Sequence, residues 1–183
     1  MTASIPRLSA AEMAPELAQT LRPRIERLGY LGEFFQCAAH QPQALLSFIR
    51  LTEDLKQALP DNLTEVVALS VASLMGNAYE RVQHERLSLK LGLGERWLRD
   101  VIRLDPNSNG SLNDKEAVVQ KFVIAVLARK GRDAGSELDA VVQTIGPQEA
   151  IAVLMLIGRY VMHALIVNTL SLSPPVPSPL DEI

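Results

Sequence analysis

The sequence predicts an all-α protein, a single domain over residues 1–183 folded as a multi-helix bundle. Three observations lead there. Strand-like alternation is missing, and the good helix formers Ala, Leu, Glu, Gln and Arg dominate the chain. Apolar residues recur at helical spacing, as at Leu45, Phe48, Ile49, Leu55 and Leu59. Helix-start signals also recur: a Ser or Asn is followed three residues later by Glu at Ser9–Glu12, Asn62–Glu65, Asn77–Glu80 and Asn113–Glu116.

In chain order, the first twenty residues read as an irregular arm entering a short helix, with Ser9 to Glu12 as its capping box and Pro15 near its first turn. Leu17 to Leu28 continues with an interruption expected at Pro23. A segment from Leu31 to Ala39 follows. His40-Gln41-Pro42 punctuates it, because the residue before a proline is pushed out of the helical region. Ala44 to Leu59 is helical by its spacing and ends at Leu59-Pro60-Asp61-Asn62. Asn62 then caps a run of apolar residues through Leu74, and Gly92-Leu93-Gly94 stops the segment that carries His84.

A short helix spans about Glu95 to Arg103, and the turn residues of 105–110 make a loop. Asn113 starts a helix to about Arg129, and Gly131 to Gly135 is a connector. Ser136 caps a short helix to Ile145, and Gly146-Pro147 opens a long C-terminal helix with proline in its first turn. The Pro-rich tail, 173–183, cannot be helical.

Composition removes several function classes. The net charge of −3 disfavours a nucleic-acid or anionic-membrane surface, and four Phe, three Tyr and one Trp are too few for a base-stacking platform. One cysteine, Cys37, rules out an intramolecular disulfide or redox pair. It sits among apolar neighbours and reads as a buried structural thiol. The beginning of the chain carries no basic-then-apolar leader pattern, so a cytoplasmic location is expected. Ala150 to Leu172 is long and apolar enough to span a bilayer, but Arg159 and His163 in its middle favour a core or subunit-interface helix. Three histidines are too few to favour a metal site, and no phosphate-binding glycine loop is present; neither metal nor cofactor is expected.

The chemistry concentrates between Glu65 and Gly92. Glu65 is followed by Asn77, Glu80 and His84 at offsets of 12, 15 and 19 residues. On one straight helix the four share a face, yet Glu65 and His84 would lie roughly 28 Å apart at 1.5 Å per residue. A shared site therefore needs a break. Gly76 supplies the backbone freedom and Asn77 a fresh cap, so a break is expected between Leu74 and Ala78.

That block resembles the signature of the carboxymuconolactone decarboxylase and alkylhydroperoxidase D-like family. Ile5-Pro6-Arg7-Leu8 and His40-Gln41-Pro42 resemble the family's opening and its His-x-Pro turn, and Gly158-Arg159-Tyr160-Val161-Met162 with Asn168-Thr169-Leu170 resembles its closing helix. The resemblance implies an alkylhydroperoxidase D-like helical fold, with 62–92 as the signature hairpin and 1–40 as an N-terminal extension. It implies a homo-oligomer, dimer, trimer or hexamer, for which the apolar C-terminal helix suits the interface. In the peroxidase branch two cysteines fall where Asn77 and Glu80 stand here, and neither replacement can attack a peroxide. The non-thiol branch includes a decarboxylase of aromatic catabolism that works without a cofactor, and Glu80 and His84 match its pattern.

The implied activity is a cofactor-independent lyase or isomerase on a small carboxylated, unsaturated or lactone-like compound. Imidazole titrates near neutrality, so His84 is the candidate acid/base. Glu80, four residues earlier, can meet it on a helix, and Glu65 is a second support. Arg81 or Arg159 can receive a substrate carboxylate, and Tyr79 or Tyr160 a developing enolate. Asn77 is a further candidate contact. Structural alternatives stand beside these roles: Glu65 and Glu80 as capping-box residues, His84 as a core or surface histidine, Asn77 as a cap, Arg159 as half of a buried ion pair, His163 as a core histidine and His40 as a turn residue. The alternatives in function are a thiol-dependent antioxidant, resting on an external thiol or on Cys37, and an oligomeric binding protein without activity.

Overall fold

The computed structural model describes residues 5–108 and 110–180; residues 1–4 of the N-terminal extension, Asn109 of the 105–110 loop and 181–183 of the tail lie outside them. The described residues form nine α-helices and no strand: α1 (Pro15–Leu28), α2 (Glu33–Ala38), α3 (Pro42–Gln57), α4 (Asp61–Leu74), α5 (Ala78–Lys90), α6 (Glu95–Arg103), α7 (Asp114–Ala128), α8 (Gly135–Ile145) and α9 (Pro147–Thr169).

Helix α4 is the axis of the bundle. Every residue from Leu63 to Ala72 is buried, and α5, α6, α7 and α9 pack around it. A helix apolar on all sides can only be stable enclosed in this way. One core gathers α4, α6, α7, α8 and the inner face of α9 around Val67, Leu98, Phe122, Leu156 and Tyr160. A second joins α1, α2 and α3 through Leu17, Phe34, Phe48 and Ile49, and receives Tyr79 and Val167. The polar cluster lies in the seam between them.

Several helix starts differ from the sequence reading, each for a local reason. Ser9 and Glu12 do bond to each other, but they close a turn; α1 begins later, on Pro15 with Ala14 as N-cap. Pro23 does not interrupt α1, which runs through it on an exposed face where water can satisfy the freed carbonyl. Helix α4 begins one residue before the expected cap, with Pro60 at the N-cap position. Asn62 instead donates its Nδ2 to Glu116 Oε1 at 2.6 Å, and Glu65 is released from capping. Ser136 lies inside α8, whose N-cap is Ala134. The capping box at Asn113 and Glu116 is complete.

The decisive local structure is the link between α4 and α5. Gly76 takes φ +62°, the left-handed conformation that closes a helix C-terminus. Asn77 N–H returns to Ala72 O at 2.8 Å and Gly76 N–H to Ser73 O at 3.3 Å, the paired bonds of a Schellman motif. Asn77 then caps α5 by accepting Glu80 N–H at 3.1 Å. Asn168 of α9 donates to the free Met75 carbonyl at 2.8 Å, pinning the turn to the C-terminal helix. Three residues thus end one helix, reverse the chain and start the next.

Candidate functional site

Reversal at Gly76 folds α5 back on α4 and removes the separation of Glu65 from His84. Glu65 Oε2 lies 2.7 Å from His84 Nδ1 and accepts the Ser88 hydroxyl at 3.3 Å. A carboxylate only accepts, so Nδ1 carries the proton. His84 Nε2 then faces the Tyr160 hydroxyl at 3.2 Å and Glu80 Oε1 at 3.6 Å. Tyr160 also packs its ring edge-on to the imidazole, with centroids 5.3 Å apart.

Glu80 is the hub of a second layer. Its Oε1 accepts Arg159 NH1 at 2.8 Å, and Arg159 Nε donates to Thr52 Oγ1 at 3.0 Å. The guanidinium is sandwiched between the Phe48 and Tyr160 rings, 4.7 and 4.3 Å from their centroids. Glu80 Oε2 meets His163 Nε2 at 3.3 Å. The tautomer of His163 follows from its neighbour. Asn77 Oδ1 accepts a backbone N–H, so its Nδ2 donates to His163 Nδ1 at 3.2 Å, and the proton of neutral His163 is on Nε2, directed at Glu80.

The charge states follow. Burial pushes Glu80 upward, but His163, Arg159 and His84 outweigh it and hold the carboxyl well below its usual range. Burial and its cationic neighbours hold His163 down at about 4, so it is neutral near pH 7 and gives Glu80 a hydrogen bond. Arg159 supplies the permanent positive charge. Burial also opposes protonation of His84, but the charge and hydrogen bond of Glu65 prevail and its pKa is raised. Burial keeps Tyr160 a neutral phenol, its pKa raised well above the ordinary value.

A cleft of about 340 Å³ opens onto this cluster, with Glu80, His84, Arg159 and Thr52 in its wall. Its lining also includes Arg24 and Arg27 of α1, Lys56 of α3, Arg86 and Lys90 of α5, and Val176 of the tail. Burial lowers the pKa of Arg24, with Arg159 and Arg27 adding repulsion; burial also lowers that of Lys56. The cleft holds like charges together with one carboxylate, Glu80, in its lining.

Of the residues the sequence singled out, Glu65, Glu80, His84, Arg159 and Tyr160 are brought together. Asn77 stands behind them as cap and partner of His163. Tyr79 and Arg81 are not at the cleft. The Tyr79 hydroxyl accepts Phe34 N–H at 3.4 Å on the far side of α5. Arg81 turns to Glu85 at 3.2 Å, whose other oxygen accepts the Ser178 hydroxyl of the tail at 2.6 Å. Both belong to faces of α5 other than that of Glu80 and His84. Cys37 lines a separate apolar groove with Phe34, Phe48 and Met162, and burial raises its thiol. Among the described residues no group of three or more His, Cys, Asp or Glu side chains is placed to hold a metal ion.

Thr52, Lys56, Ser88 and the cationic rim escaped the sequence reading. The signal was present, since Thr52/Lys56, Arg24/Arg27 and Arg86/Lys90 are each helical neighbours. Such pairs are ordinary on solvated helices, and only the packing of α1 on α3, of α3 on α9 and of α5 on α4 brings these to one cleft.

No family model matches the chain, and no curated protein does. Solved structures do. A peroxidase-related protein from Ralstonia eutropha with the alkylhydroperoxidase AhpD core matches with TM-score 0.78 at 14% identity, over 92% of this chain and 90% of that one. The debrominase Bmp8, bound to 2,3,4-tribromopyrrole, matches with TM-score 0.79 at 15% identity, over 94% and 92%. A protein of unknown function from Agrobacterium tumefaciens, linked by name to the antioxidant defence protein AhpD, matches with TM-score 0.66 at 17% identity, over 76% and 96%. At these identities the likeness establishes architecture, and the architecture is the one the sequence resemblance implied: this chain has the alkylhydroperoxidase D-like fold.

Proposed function

We propose that the chain is an acid/base enzyme that needs no cofactor, a lyase or isomerase acting on a small unsaturated or lactone-like carboxylate. The observation that carries this reading is His84. It is buried with Nδ1 fixed by Glu65 at 2.7 Å, while its side chain lines a cleft rimmed by Arg24, Arg27, Lys56 and Lys90. A structural imidazole does not need an anion-attracting entrance; an imidazole that exchanges protons with a carboxylate substrate does.

In the decarboxylation version, the rim cations draw in the carboxylate and Arg159 or Lys56 orients it. The bond to the departing CO2 breaks, and its electron pair passes into the neighbouring unsaturated carbonyl. Lys56, which lines the cleft, balances the enolate charge, and His84 delivers a proton to carbon while Glu65 holds the ring. Small unsaturated rings suit the size of the cleft, and the debrominase of the same fold is described with one, a bromopyrrole.

The test is turnover of a panel of lactone and unsaturated carboxylic acids, read as CO2 release and loss of ultraviolet absorbance. Activity that falls at least a hundredfold in both His84→Gln and Glu65→Gln supports the reading. Turnover that survives His84→Gln refutes it.

A further inference from the structure

Lys56 stands in the wall of the cleft with His84 and Arg159, half-buried, and makes no hydrogen bond or ion pair among the described residues. It lies one turn after Thr52 on α3, so it shares the face on which Thr52 Oγ1 holds Arg159 Nε. The nearby carboxylates are already engaged. Glu65 Oε2 is taken by His84 and Ser88, and Glu80 by Arg159 and His163. A lysine placed for ion pairing would end against one of them.

The groups that face Lys56 come from four other helices: Arg24 of α1, Glu65 of α4, Glu80 and His84 of α5, and Arg159 of α9. Burial lowers the pKa of Lys56. The charges of Arg159 and Arg24 lower it further, and those of Glu65 and Glu80 oppose them. Arginine keeps its charge at any accessible pH, whereas an amine can shed it. The cleft therefore sets a group that can become neutral, and so nucleophilic, beside guanidiniums that cannot.

We propose that Lys56 is a covalent catalyst whose Nζ forms a Schiff base with the ketone of a 3-oxo acid, the acid's carboxylate lying against Arg159 and Arg24. The proposal rests on the acid/base reading of His84 and narrows its substrate to carboxylates with a ketone on the carbon next to the carboxyl-bearing one. The Nζ lone pair forms a C–N bond to the ketone carbon, and the ketone oxygen takes a proton from the His84 imidazolium. One Nζ proton passes to His84, which hands it to the same oxygen. The C–O bond then breaks, water leaves and a C=N iminium remains.

The bond to CO2 breaks next. Its electron pair forms a C=C bond, and the iminium π pair returns to nitrogen, giving a neutral enamine. His84, reprotonated from solvent through the cleft, protonates the enamine carbon. Water hydrolyses the resulting iminium, which releases the ketone, frees Lys56 and returns a proton to His84. One solvent proton is consumed for each CO2 released. The 3-position follows from this electron flow, because only a carboxylate β to the nitrogen-bearing carbon can pass its pair into the iminium. A lactone carbonyl forms no iminium, so this route excludes it.

Incubation of the full chain with acetoacetate and sodium cyanoborohydride near neutral pH, followed by peptide mass mapping, tests the covalent step. Reduction of the first iminium leaves a carboxylated adduct on Lys56, and reduction of the second leaves an isopropyl group. Lys90 lines the same cleft but is exposed, and serves as the control. Adducts are expected at Lys56 at least about tenfold faster than at Lys90, a barrier difference of about 1.4 kcal/mol. Lys56→Arg keeps the charge and should lose at least about a hundredfold in CO2 release, with the helical circular dichroism retained. If that variant does not fold, trapping on the wild type decides. No adduct at Lys56, or adducts spread evenly over the lysines, overturns the inference. CO2 release that survives Lys56→Arg but is lost in His84→Gln also overturns it and leaves the acid/base reading standing. Trapping at Lys56 with CO2 release that survives His84→Gln upholds the amine and removes His84 instead.

Discussion

Arg159→Met tests the electrostatic frame of the site. Both partners of the Arg159–Glu80 pair are more than nine-tenths buried, at 8% and 6% exposed, and 2.8 Å apart. Removing the cation leaves a carboxylate in the seam between the cores. Stranding one member of a buried pair costs about 3–5 kcal/mol. Here the lower end applies, about 3 kcal/mol, because His163 keeps its Nε2–H directed at the other oxygen, 3.3 Å away, so the stranded carboxylate retains one donor. For a chain of this size the loss corresponds to a fall of roughly 6–12 °C in Tm.

The loss should depend on pH with a definite sign. The folded-state pKa of Glu80 is depressed, so its contribution is present above the unfolded carboxylate range and disappears as pH falls through the folded value. The gap between wild type and variant is therefore widest near neutrality and closes toward acid. Adding Glu80→Gln to Arg159→Met should recover at least about 2 kcal/mol relative to additivity. Urea unfolding of the four proteins at pH 5 and pH 8 measures both effects. A single-variant cost below about 1 kcal/mol, or strict additivity, refutes the assignment of a buried, mutually dependent pair.

Two further perturbations probe separate features. His163 is held at about 4 by burial against an ordinary 6.5, so the unfolded chain binds its proton first and stability declines as pH falls between those values, by on the order of 3 kcal/mol. His163→Gln should flatten that limb of the stability curve, and an unchanged slope contradicts the neutral assignment. A Cβ on Gly32 would collide with the Tyr79 hydroxyl, although its φ of −62° suits any residue. Gly32→Ala should cost about 1–3 kcal/mol, and Tyr79→Phe in the same chain should return part of it; thermal melts of the single and double variants decide.

How much of this could be read in the sequence follows from what each part depends on. Helices were legible because local signals set them: Asn113 with Glu116, Gly146 with Pro147, Pro42 after His40. Gly76 with Asn77 was legible because only a left-handed residue followed by a cap can reverse the chain in so few residues. Capping itself was less certain, since an Asn three residues before a Glu can bond elsewhere; Asn62 found Glu116 across the bundle, and Glu65 found His84. Arg81 and Tyr79 were misplaced because adjacency to Glu80 in sequence puts them 100° to either side of it on the helix. Lys56 and the arginines of α1 were invisible because their meeting is a fact of packing between helices distant in the chain.

The charge balance of the cluster also orders the proposed chemistry. Glu65 and Glu80 are two negative charges facing Arg159 and His84. With His84 protonated the four are neutral, and with His84 neutral one negative charge is left in the seam. The raised pKa of His84 expresses that preference, through Glu65 at Nδ1. An anionic substrate in the cleft adds negative charge and strengthens it. In the proposed reaction an imidazolium at His84 acts first as an acid, which suits proton delivery after loss of CO2 better than an initial proton abstraction. The sign for activity follows: kcat/KM should fall as pH rises through the His84 titration, and Glu65→Gln should move that fall to lower pH. A profile that instead climbs with pH over the same range would make His84 a base and turn the reading from lyase to isomerase.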